Sequence, residues 1–208
     1  MYKKLVFIFI AALMGACTSR QQADEKTLYV SILPLRSLVE EIVGDDFKIE
    51  VLVPLGASPE TFEPTPRQFI GLNRAEMIFN VGLIDFETTL LSKIEERGKV
   101  VNLSQGIELI AGSCSHACTH AEQETSGGHG TSHAETHNHS HAHGVDPHVW
   151  TSPRALQKMA QNAYAAIRRA YPDSVKYETN YKRLQADLRA LDARTGEKIA
   201  QSGIEYFI

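Results

Sequence analysis

Thr27-Leu28-Tyr29-Val30-Ser31-Ile32-Leu33-Pro34-Leu35-Arg36-Ser37-Leu38-Val39-Glu40-Glu41-Ile42-Val43-Gly44 changes its hydrophobic period halfway along. Leu28, Val30 and Ile32 alternate up to Pro34, whereas Leu35, Leu38, Val39, Ile42 and Val43 recur three and four residues apart until Gly44. A period of two places side chains on opposite faces of a strand, and a period near 3.6 gathers them on one face of a helix. The stretch therefore reads as strand, then helix. Phe47, Ile49, Val51 and Val53 alternate again and run into Pro54. The segment from Leu55 to Pro64 is rich in Pro, Gly and Ser, and Thr65 then precedes Pro66 with Gln68 three residues on. That is a capping box with proline at the first helical position. Met77 to Val81 reads as a third strand, Phe86 to Ile94 as a helix, and Val100 to Leu103 as a fourth strand. Strands alternating with helices predict an α/β lobe in which a four-stranded parallel sheet carries helices on both faces.

Downstream, periodicity disappears between residues 104 and 145, where Gly, Ser, Thr, His and Ala dominate. Such a composition buries too little apolar surface to offset its ordering entropy, so the segment is expected to be a loop. Ser152-Pro153 starts a helix with Leu156, Met159, Ala163 and Ile167 on one face, ending near Tyr171-Pro172. A longer helix follows, with Asp173 as its expected cap and Tyr177, Tyr181, Leu184, Leu188, Leu191 and Ile199 as its apolar stripe. At about 1.5 Å per residue it would run roughly 42 Å, more than one small lobe requires. Its expected role is to link. Beyond Gly203, Glu205-Tyr206-Phe207-Ile208 reads as the start of another buried strand, so the sequence is expected to be a truncated portion of a longer protein.

The amino terminus carries a different signal. Lys3 and Lys4 precede an apolar run from Leu5 to Met14 that is too short to span a bilayer and has the layout of an export signal. Met14-Gly15-Ala16-Cys17 resembles a bacterial lipobox, in which Cys17 is lipidated; an ordinary signal peptide containing a cysteine is the alternative. The expected organisation is a signal peptide over 1–16, a tether over 17–26, an α/β lobe over 27–171 with its loop at 104–145, a linking helix over 172–202, and the start of a second lobe at 203–208. Lipidation would hold the protein at a membrane, on the extracytoplasmic side, without a spanning helix.

The 208 residues carry a formal charge of −4 and are 43% hydrophobic, which excludes global disorder. No basic stripe is present, which argues against nucleic acid as a partner. The unusual feature is histidine: all 9 lie between His116 and His148. His129, His133, His137, His139, His141 and His143 are spaced by small polar residues, so several imidazoles could meet one cation. Zinc, nickel or copper suits such ligands. A tract without fixed geometry gives weak, exchanging sites, which fits collection or sensing of metal; a solvated linker is the plainer reading. Cys114 and Cys118 precede the tract, and a disulfide is favoured over a pair of zinc-binding thiolates in an oxidising compartment.

A sharper candidate is Asp146-Pro147-His148-Val149-Trp150, where the loop rejoins the fold. His148 is held just before a helix, between prolines and beside a tryptophan able to pack into the core. The other candidate segment is Pro54-Leu55-Gly56-Ala57-Ser58-Pro59-Glu60-Thr61-Phe62-Glu63-Pro64-Thr65-Pro66, after the second strand. Ligands of open parallel sheets bind beyond the strands' carboxyl ends, and both segments belong to that edge. Glu60 and His148 are the expected metal ligands there, although a solvated loop carboxylate remains the alternative for Glu60.

Those two segments, the His-rich insertion and Tyr177-Glu178-Thr179-Asn180-Tyr181 in the long helix together resemble the zinc and manganese binding lipoproteins of ABC importers, the ZnuA and TroA-like group. The resemblance implies two α/β lobes joined by a long helix, with the metal in the cleft between them. Here the first lobe and the linking helix are represented, and the remaining ligands would come from the second. Family members commonly have histidine where this chain has Glu60. The function implied is extracytoplasmic capture of a divalent metal, zinc in preference to manganese, and delivery to a membrane permease. No enzymatic activity is expected: an envelope zinc hydrolase would need three fixed ligands and a general base, which no regular element supplies. A periplasmic zinc buffer or chaperone acting through the loop is the other alternative.

Overall fold

The computed structural model describes residues 26–59, 61–110 and 145–203. Four strands, β1 (Thr27–Val30), β2 (Lys48–Val51), β3 (Met77–Asn80) and β4 (Val100–Asn102), form one parallel sheet in the order β2-β1-β3-β4. The helices are α1 (Leu33–Val43), α2 (Pro66–Arg74), α3 (Asp85–Leu91), α4 (Pro153–Ala170) and α5 (Val175–Ser202). Val30 pairs with Val51 on one side and Phe79 on the other, so β1 is central. The ladder continues past the strands, with Ser31 donating to the Phe79 carbonyl at 2.9 Å and Val53 donating to the Ser31 carbonyl at 3.0 Å.

Side-chain alternation divides the core in two. Leu28, Val30, Met77 and Phe79 pack with Leu35, Leu38, Val39, Ile42 and Val43 of α1 and with Met159, Ala163 and Ile167 of α4. Ile78, pointing the other way, packs with Leu72 of α2 and with Leu90 and Leu91 of α3. Both faces of the sheet are therefore covered, as a parallel sheet requires.

The local signals explain the helix starts. The Thr65 hydroxyl accepts from the Gln68 N–H at 3.3 Å while the Gln68 side chain accepts from the Thr65 N–H at 2.9 Å, completing the capping box. Ser152 caps α4 by accepting from Ala155. The long helix differs from expectation at both ends. Its cap is Ser174, whose hydroxyl accepts from the Tyr177 N–H, and not Asp173, because the turn after Pro172 runs one residue further. Along its stripe Tyr177, Leu184 and Leu188 are buried, whereas Leu191 and Ile199 are 39% and 40% exposed. The helix outruns the layer it packs against. Among the described residues no helix is long and apolar enough to cross a membrane.

The carboxyl edge of the sheet needs partners for its last backbone groups, and a buried side chain supplies two of them. Glu87 of α3 is 0% exposed, and its carboxylate accepts from the Val81 N–H at 3.0 Å and from the Gly82 N–H at 2.6 Å. Gly82 has φ +80°, and a Cβ there would run into the Asn102 amide, so glycine is required in this turn. Burial pushes the Glu87 carboxyl pKa up, opposed by Ser31 and by the backbone of Val81, Gly82 and Ile84. Among the described residues no charged side chain acts on it. Because the folded-state pKa is raised, this group's contribution to stability is full below the unfolded value of about 4.3 and is lost as pH rises through the folded value. The stability of wild type relative to Glu87→Gln, which does not titrate, should therefore fall as pH rises from acid toward neutrality in urea midpoints measured without metal; a difference independent of pH would contradict this.

Candidate metal centre

In the order β2-β1-β3-β4, the crossover after β1 leads to one side and the crossover after β2 leads back to the other. The carboxyl ends of β1 and β3 thus flank the point at which open parallel sheets present a ligand crevice. The loop following β2 crosses this rim. Gln68 donates through its amide to the Leu52 carbonyl at 2.9 Å, and Phe62 meets Phe86 of α3 edge-to-face, with centroids 5.4 Å apart.

The His148 segment reaches the same rim because α4 runs against the strands. Tyr171, just after α4, donates its hydroxyl to Glu76, immediately before β3, at 3.0 Å. Midway along α4, Asn162 donates to the carbonyls of Leu103 and Gln105, just past β4, at 2.8 and 2.9 Å. The beginning of α4, and His148 before it, therefore project beyond the carboxyl edge.

His148 is exposed but not loosely held. Its Nδ1 lies 2.6 Å from Asp146 Oδ1, and its backbone N–H donates to the same oxygen at 2.9 Å. With Nδ1–H donating to the carboxylate, Nε2 keeps the free lone pair for a metal. Those two bonds to His148, the backbone one first, hold the Asp146 carboxyl below its usual range. The Trp150 ring meets the imidazole edge-to-face at 5.1 Å and itself packs against the main core. The Thr151 hydroxyl donates to the His148 carbonyl at 2.7 Å. A pocket of about 160 Å³ adjoins the imidazole, lined by Ile107, Ile110, Asp146, Val149 and Ala155 among others. Asp146 also donates its N–H to the Ile110 carbonyl at 3.2 Å, drawing the two ends of segment 111–144 together.

Of the residues expected to bind metal, His148 is thus placed. Glu60, His129, His133, His137, His139, His141 and His143 lie outside the described residues, as do Cys17, Cys114 and Cys118 and the segments 1–25 and 204–208. Among the described residues no three His, Cys, Asp or Glu side chains form a metal-holding group. Asp146 was not singled out from sequence, although an Asp two residues before a candidate His ligand is a readable signal. Glu87 was also missed, and nothing local marks it.

A family model described as zinc-uptake complex component A, periplasmic, matches residues 28–206. The high-affinity zinc uptake system protein ZnuA of Bacillus subtilis is 33% identical over 218 residues, covering 97% of this chain and 64% of that protein. The metal ABC transporter substrate-binding lipoprotein SsaB of Streptococcus sanguinis is 25% identical, covering 94% of this chain and 61% of its own length. The zinc-bound crystal structure of a ZnuA deletion mutant matches with a TM-score of 0.63 at 28% identity, over 84% of this chain and 58% of that one. The chain spans a little under two thirds of the length of these relatives.

Proposed function

The chain belongs to the family of periplasmic zinc-uptake component A proteins, and on that premise we propose that it is the solute-binding part of an ABC importer, which captures a divalent cation outside the cytoplasm and hands it to a membrane permease. The family is one of uptake proteins, not enzymes. The observation that carries the reading is the Asp146–His148 pair: an exposed imidazole whose ring is oriented by a carboxylate, as metal-binding histidines commonly are. Zinc is preferred over manganese as cargo because imidazole ligation suits zinc and manganese favours oxygen donors; the Glu60 carboxylate keeps manganese as the alternative.

In this reading Glu60 and His148 contribute ligands from the sheet's carboxyl rim, and further ligands come from a facing lobe that encloses the metal. His129, His133, His137, His139, His141 and His143 raise local metal occupancy. A lipid on Cys17 keeps the protein at the membrane that carries its permease, and Cys114 and Cys118 form a disulfide.

Zinc titrations of the full-length protein test the assignment. His148→Ala should weaken the tight site by at least the order of tenfold, and Asp146→Asn, which leaves the imidazole present but misoriented, by about 10- to 100-fold at most. Unchanged tight binding in His148→Ala would remove this residue from the site. Deleting Gly127 to His143 should lower the number of zinc ions bound while preserving the tight site; loss of the tight site would show instead that the tract supplies it.

A further inference from the structure

The capture of metal proposed above leaves a fully buried carboxyl group without a role. Glu87 has no exposed surface, and its two backbone bonds lie in the turn where β3 gives way to α3, beside the end of β1. The turn is wedged on its other side by Asn102, whose Oδ1 accepts from both the N–H and the hydroxyl of Ser104, at 2.9 and 3.0 Å. The Ser31 hydroxyl, at the end of β1 and 1% exposed, faces the same carboxylate and favours its ionised form without completing a hydrogen bond. The turn at the crevice is therefore fixed by a carboxylate on one side and an amide on the other. A packing residue could fill the space of Glu87, but it would leave two N–H groups unanswered. A glutamine could answer only one, because its amide nitrogen would face the other donor.

The next residue back connects this turn to the rim. Phe86 packs edge-to-face on Phe62 at an interplanar angle of 77°, and both rings touch both halves of the core. Phe62 belongs to the loop that follows β2 and crosses the crevice. We propose that Glu87 is a positioning residue of the metal centre: by setting the β3 to α3 turn, its carboxylate places Phe86, and Phe86 seats Phe62 and the loop around it. The proposal rests on the metal-capture reading and adds to it a support beneath the loop from α3, which packs on the face of the sheet opposite α4. The interaction is transmitted through ring packing, so it acts on metal affinity and not only on stability.

A double-mutant cycle in zinc affinity tests this, using the full-length protein and competition with a zinc-chelating dye, with urea midpoints of the metal-free proteins measured alongside. Glu87→Gln and Phe62→Leu should each weaken zinc by about tenfold, the scale of lost outer-shell support. Their combination should be little worse than either alone, because one interrupts what the other transmits. Combined with His148→Ala, the Glu87→Gln factor should multiply in full, since the two act from separate segments. Zinc affinity unchanged in Glu87→Gln while its urea midpoint falls would overturn the proposal, as would full multiplication with Phe62→Leu. If the wild-type protein itself binds no zinc, the metal-capture reading fails and this proposal with it. Should Glu87→Gln fail to fold, Phe86→Leu takes its place in the cycle with Phe62→Leu: a combined loss no worse than the larger single one supports the transmission, and multiplication overturns it.

Discussion

Every strand of the sheet ends at the same edge, and the backbone groups that emerge there must find partners before anything can be bound beyond them. The grip of the Glu87 carboxylate on the Val81 and Gly82 N–H groups meets that demand at the crevice. Placing an acid away from water is costly unless its oxygens are satisfied, and among the described residues no opposite charge shares the task. The turn has consequently become specific. Only glycine fits at position 82, Asn102 closes the other side, and the helix that supplies the acid also supplies the ring against which the neighbouring loop rests. Packing of α1, α4 and α5 on one face and of α2 and α3 on the other then gives this edge a rigid base.

The candidate metal centre shows a division of labour between rigidity and exposure. His148 is accessible, yet its backbone carbonyl, backbone N–H and ring nitrogen are all engaged by neighbours within three residues. A side chain held in this way has little freedom left to lose on binding. The orientation is set by a local pair of side chains, whereas the position is set by α4, which is anchored at its middle to the end of β4 and at its end to the start of β3.

Much of this was legible in the sequence because it is written locally. The alternation at Leu28 and Val30, the three-and-four spacing from Leu35 to Val43, and the Thr65/Gln68 box each involve residues close along the chain, and each appears where expected. The cap at Ser174 was read one residue early, since Asp173 and Ser174 are equally suitable chemically and only the course of the turn chooses between them. Leu191 and Ile199 continued the apolar stripe of α5, but periodicity tells which side of a helix is apolar and not how far the covering layer extends. Glu87 was invisible for a stronger reason. It sits among Asp85, Phe86 and Thr88 like any solvent-facing acid near a helix start, and its burial is created by strands distant in sequence.

The single hydrogen bond from Asp146 to the Ile110 carbonyl has an implication for how such a chain can change. It makes residues 110 and 146, which flank segment 111–144, neighbours in space. The entropy of closing a loop between two fixed anchors grows, in general, only with the logarithm of its length, so each doubling costs about 0.6 kcal/mol. Anchors placed this close together would therefore tolerate changes in the length of chain between them at little cost to folding. Lineages could vary the length between the anchors while the pinned imidazole beside them stays as it is.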